Sequence, residues 1–126
     1  MYVSKIEINT IEVKMIVLSK LEENVLLTIL KLKDNAYIVS IKDLMEEFTG
    51  KNISFGALYV ALNRLIRSGY LDSFVGDASA VRGGRAKKFY RITKEGILVL
   101  KDIQKLQNNM WQNFTRLSDA VLESYK

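Results

Sequence analysis

The 126-residue sequence contains no cysteine and no histidine. Without cysteine there is neither a disulfide framework nor a thiolate metal site, and without histidine the usual zinc sites and imidazole-based acid–base chemistry are lost as well. No metal and no cofactor are therefore expected, and catalysis is disfavoured. No run approaches the roughly 18 to 20 uninterrupted apolar residues of a membrane span. Glu7 and Glu12 stand where a signal peptide would carry an apolar block. The expectation is a cytoplasmic protein with no membrane partner. Internal repeats and low-complexity tracts are also lacking.

What is present is 48% apolar composition, enough for one modest core, and a net charge of +5. That charge is unevenly placed. Residues 51–92 hold eight cations against two acids, whereas the remaining residues hold eleven against twelve. The stretch VRGGRAKKFYRIT, residues 81–93, alone contributes Arg82, Arg85, Lys87, Lys88 and Arg91, with Gly83 and Gly84 among them. Clustered cations beside aromatics and a glycine pair form an electrostatic footprint for a polyanion, and the same run also reads as a solvated hairpin face. A nucleotide-binding loop is excluded by spacing, because G-x-x-x-x-G-K-[ST] between a strand and a helix is required and does not occur here.

Residues 1–18 read as a flexible N-terminal extension in which Ile6, Ile8, Ile11 and Val13 alternate weakly. Ser19-Lys20-Leu21-Glu22 matches a capping box, and Val25, Leu26, Ile29 and Leu30 follow helical spacing, which predicts a first helix over 21–33. Ser40 is the expected cap of a second helix carrying Ile41, Leu44, Met45 and Phe48 and ending at Gly50. Ser54 caps a third over 55–68, with Leu58, Ala61, Leu62 and Leu65 on one face and Gly69 at a left-handed C-terminal position. Residues 70–75 and 87–92 are branched and aromatic, and predict a β-hairpin with a long polar tip.

Thr93 caps a last helix whose apolar residues, Ile103, Leu106, Met110, Phe114, Leu117, Val121 and Tyr125, are spaced 3, 4, 4, 3, 4 and 4. That spacing is close to the natural helical period, so the stripe is expected to face one partner along its whole length. A helix of about thirty residues is roughly 45 Å long, more than three short helices can cover. Part of it is expected to meet a second chain.

Three short helices, a hairpin and a long final helix define a mainly α fold with a small β-hairpin (α+β). The pattern is a winged helix-turn-helix domain over 19–93, followed by a C-terminal dimerisation helix over 94–126. In such a unit the third helix enters the major groove and its N-terminal residues meet base edges. Its outward residues include Phe55, Gly56, Tyr59, Val60, Asn63 and Arg67. Asn63 suits bidentate pairing with adenine, Tyr59, Arg64 and Arg67 suit phosphates, and Gly56 permits close backbone approach. Two of these have a structural alternative: Tyr59 as the edge of the core, and Arg64 as the partner of an acid on the second helix.

Ser54-Phe55-Gly56-Ala57-Leu58-Tyr59, Arg82-Gly83-Gly84-Arg85 and Lys88-Phe89-Tyr90-Arg91-Ile92-Thr93 together resemble the PadR family of bacterial transcriptional regulators. The resemblance spans about residues 19–111. It implies a homodimeric DNA-binding protein, usually a repressor, acting on double-stranded DNA with an inverted-repeat operator. It also implies DNA contacts from Ser54, Gly56, Tyr59 and Asn63 on the reading helix and from Arg82, Arg85, Lys87 and Lys88 on the wing. The dimer would form through Ile103, Leu106, Met110, Trp111, Phe114, Leu117 and Val121 of the last helix. Some members bind flat aromatic compounds between subunits, beside a tryptophan at the position of Trp111, which makes a small aromatic effector a further expected partner. Tyr37-Ile38 replaces a common Tyr-Gly pair, and Ser79 and Val81 replace a common proline and acid, which leaves the wing more cationic. The competing class is a winged-helix module whose basic face grips an acidic partner protein.

Overall fold

The computed structural model describes residues 18–76 and 86–126. Of the expected extension, residues 1–17 lie outside the described residues, as does the wing tip at 77–85 with Arg82, Gly83, Gly84 and Arg85. Helix α1 is Lys20–Leu32. Its capping box forms as expected, with Ser19 Oγ accepting from the Glu22 amide at 3.1 Å and Glu22 Oε1 accepting from the Ser19 amide. Val25, Leu26 and Ile29 are buried, while Leu30, one step round the helix, stays exposed.

Helix α2, Ile38–Thr49, starts earlier than the expected cap at Ser40. Ser40 lies inside the first turn, where its hydroxyl accepts from the Tyr37 amide at 3.0 Å and is 2.6 Å from the Asn35 carbonyl it donates to. A serine at the third helical position satisfies a free end amide as well as one at the cap does, so both positions look alike in sequence. Ile41 and Met45 are buried, whereas Phe48 is 66% exposed. Gly50 ends the helix.

Helix α3, Phe55–Arg67, is capped by Ser54 Oγ, which accepts from the Ala57 amide at 3.1 Å. It buries Leu58, Ala61, Leu62 and Leu65, the four residues expected. It then closes as a Schellman motif: the Tyr70 amide donates to the Leu65 carbonyl, the Gly69 amide to that of Ile66, and Gly69 has φ +83°. The left-handed residue turns the chain sharply into the hairpin.

Strands β1, Leu71–Val75, and β2, Lys88–Ile92, pair antiparallel, Leu71 opposite Ile92 and Val75 opposite Lys88. A connection that the sequence did not reveal ties this hairpin to the helices. The Tyr90 amide donates to the Ala36 carbonyl at 2.8 Å, and Tyr37 bridges to Phe89. The α1–α2 connection thus acts as a one-residue third strand. Leu71 and Tyr90 point from the hairpin into the core.

Helix α4, Lys94–Trp111, begins at Thr93, whose Oγ1 accepts from the Gly96 amide and donates to the Gly69 carbonyl at 2.7 Å. Val99, Leu100 and Ile103 complete the core against α1. The helical region runs thirty residues, Lys94 to Glu123, but as two segments. Gln112 and Asn113 interrupt it, Asn113 at φ +65°, and α5 is Phe114–Glu123. Asparagine is among the few non-glycine residues that take this conformation readily. The apolar stripe therefore does not continue along one straight axis.

Candidate nucleic-acid interface

At about 100° per residue, burying Leu58, Ala61, Leu62 and Leu65 leaves Gly56, Val60, Asn63 and Arg67 opposite the core, with Tyr59 on one flank and Arg64 on the other. Ser54, Gly56, Asn63, Arg64 and Arg67 are all exposed. Among the described residues, no carboxylate lies within 4.0 Å of Arg64 or Arg67, so the pairing of Arg64 with an acid on α2 is not observed. Tyr59 is 48% exposed and shares a cleft with Tyr90.

The turn that aims α3 is held by one ion pair. Lys42 Nζ lies 2.6 Å from Glu46 Oε2, which also accepts from the Ile53 amide at 2.9 Å. Lys42 additionally reaches Asn52 Oδ1 and sits 5.5 Å from the centre of the Phe55 ring, at the first residue of α3. The Lys42 hydrogen bond, with that from the Ile53 amide, lowers the Glu46 pKa below its ordinary 4.5. These contacts fix α2, the turn and the start of α3 as one unit. Lys42 and Glu46 carried no sequence signal for this role beyond an i, i+4 spacing.

The base of the wing brings cations onto aromatic faces. Lys87 Nζ lies 4.0 Å from the Tyr37 ring centre, Lys88 Nζ 5.7 Å from that of Tyr90, and the Arg91 guanidinium 5.0 Å from that of Phe74. Ring faces are negative, so these seats hold the charges in place without neutralising them. Tyr37, Ile38, Val39, Tyr59, Lys87, Lys88 and Tyr90 together line a cleft of about 400 Å³. Among the described residues, no acidic side chain lines it. Burial, and secondarily Tyr59, raises the Tyr90 phenol above its ordinary pKa of 10. Tyr37 is the residue here that sequence reasoning missed, since a lone aromatic before a helix reads as core.

Away from this face, Ile103 packs into the core of its own chain at 8% exposure, while Leu106, Met110, Trp111, Phe114, Leu117 and Val121 remain exposed, Met110 at 75%. Trp111 meets Phe114 edge-on across the helix break, ring centres 4.8 Å apart. Among the described residues, no helix is long and apolar enough to cross a membrane, and no group of three or more acidic side chains is placed to hold a metal.

Solved structures similar to this chain include a transcriptional regulator from Clostridium thermocellum, with 24% identity, a TM-score of 0.61, and 75% of this chain and 89% of that chain covered. A PadR-like regulator from Bacillus cereus shows 20% identity and a TM-score of 0.60 over 81% of this chain and 90% of that one. A PadR family regulator from Eggerthella lenta shows 22% identity and 0.59 over 92% and 91%. At such identities the likeness concerns the fold. No protein of curated function matches. The model of the transcriptional regulator PadR-like family matches residues 26–102, from within α1 through α2, α3 and the hairpin into α4. With more than half of its length matched across three helices and the hairpin, the chain belongs to the PadR-like family of transcriptional regulators.

Proposed function

We propose that the protein is a homodimeric repressor that binds an inverted-repeat operator through α3 and the wing. The observation that carries this reading is the cleft that Tyr59 of the reading helix lines together with Lys87 and Lys88 of the hairpin, with no acid among its described lining residues, beside an outward α3 face of Gly56, Asn63 and Arg67. Phosphates fit the cations and phenols, while base edges fit Asn63. Ser54 and Arg64 flank the same face, and the sequence between the two strands supplies two further cations, Arg82 and Arg85. Dimerisation through Leu106, Met110, Trp111, Phe114, Leu117 and Val121 covers apolar side chains that the single chain leaves exposed, with Ile103 supporting them from the core.

Selection of bound duplex from a random pool tests the reading. Recovery of an inverted repeat supports DNA binding and dimer symmetry together, with half-sites spaced by about one helical turn or its multiples. A pool that enriches no sequence, with retention of an acidic protein partner instead, would replace the DNA reading by the interaction-module reading. Release by a small aromatic effector is the finer part of the proposal. Trp111 is exposed beside Phe114, so a flat compound stacking there should quench tryptophan fluorescence saturably and lower operator affinity.

A further inference from the structure

We propose that Tyr37 is a positioning residue for the wing: its ring seats the Lys87 ammonium so that this cation is already aligned when DNA arrives. The proposal deepens the DNA-binding reading above and rests on it. Lys87 occupies the point where the hairpin meets its tip, immediately before β2, and its carbonyl accepts from the Gly76 amide at 2.8 Å across the hairpin. The backbone at Lys87 is therefore fixed, and what remains free is a long side chain with several rotatable bonds. Such a chain gives up rotamer freedom on meeting a phosphate, unless something holds it beforehand.

Tyr37 is built to do that. Its ring centre lies 4.0 Å from Lys87 Nζ, the shortest cation-to-ring distance among the described residues. The ring is itself held. It meets Phe89 edge-on at 5.8 Å and 71°, and Phe89 in turn stacks on Phe74 at 5.7 Å. The backbone of Tyr37 bridges to Phe89, and the neighbouring Ala36 carbonyl accepts from Tyr90. Tyr37 also precedes the first residue of α2, so one residue links the wing cation to the helix pair that carries the reading helix. Among the described residues, none of the side chains lining the cleft with Tyr37 and Lys87 is acidic and no carboxylate lies within 4.0 Å of Lys87, so the ring, not an ion pair, is what seats this charge.

The test combines an affinity measurement with a readout that needs no DNA. In the free wild-type protein, the Lys87 ε-methylene protons should be shifted upfield by the ring current. Tyr37→Leu should abolish that shift and Tyr37→Phe should keep it. For duplex of both specific and random sequence, Tyr37→Leu should weaken binding about 2–5-fold, as expected for an exposed cation–π contact, with Tyr37→Phe near wild type. Once Lys87→Gln is present, adding Tyr37→Leu should cost nothing further. An unshifted Lys87 in the wild type overturns the proposal, as do losses that multiply in the double variant. If Tyr37→Phe lost as much as Tyr37→Leu, the hydroxyl rather than the ring would be acting, which also overturns it. Because the ring-current measurement uses wild-type protein, it decides the seating even if Tyr37→Leu fails to fold. Absence of duplex binding by the wild type would remove the DNA reading itself, separately from the seating.

Discussion

Gly96 has no room for a side chain. A β-carbon there would stand against the Tyr70 carbonyl oxygen and 2.7 Å from Ile92 Cγ1, where α4 leaves the hairpin. Alanine in a helix is ordinarily favoured over glycine by about 1 kcal/mol. Here the clash with backbone should outweigh that preference, so Gly96→Ala is expected to lower stability by about 1–3 kcal/mol in urea denaturation. Glu46 yields a pH prediction. Its pKa is lower folded than unfolded, so its contribution is complete above the ordinary value near 4.5 and disappears as pH falls through the lower, folded value. Glu46→Gln should therefore destabilise the protein at neutral pH, with the difference from wild type shrinking on acidification below the ordinary value. Thermal melts across pH check this. Gly96 was visible as a residue but not as a close approach, because no local pattern reports which carbonyl lies over a glycine. Ser19, Ser54 and Thr93 were legible as caps because their partners lie three residues away. Ser40 reads as a cap but lies inside the first turn, because its partners, Tyr37 and Asn35, precede it.

Helices α1, α3 and α4 announced themselves through period and cap, and α3 did so completely, its four buried positions being those its spacing predicts. Ser54→Ala removes the bond to the Ala57 amide and should cost about 1 kcal/mol, read by chemical denaturation. The last helix was only half legible. Its stripe runs through Gln112 and Asn113 without interruption, so nothing apolar marked the break, and asparagine in a polar run is equally at home in a helix. If the exposed faces of α4 and α5 meet a second copy, the angle set at Asn113 matters for that contact. Asn113→Gly should then preserve self-association in sedimentation, since glycine accepts φ +65° freely. Asn113→Val should weaken it, because a branched side chain in that conformation costs about 1–2 kcal/mol.

For the molecule as a whole, the proposed dimer and the proposed DNA face make linked predictions. Leu117→Glu, on an exposed position of α5, should give a monomer by sedimentation with the helical signal of the domain retained, and should abolish preference for a two-half-site duplex. Wild-type affinity should fall linearly with salt on logarithmic axes, and Lys88→Ala should reduce the slope by about one unit without changing which sequence is preferred. What composition showed at this scale was a charge excess confined to residues 51–92. Hidden from it was how the α1–α2 connection reaches the wing, since Ala36 and Tyr90 are 54 residues apart and their pairing leaves no local trace. That single backbone bond places the hairpin's return strand and the helix connector in one cooperative unit. In amide hydrogen exchange, the Tyr90 N–H should accordingly be among the slowest in the hairpin, opening only when the connector before α2 opens with it.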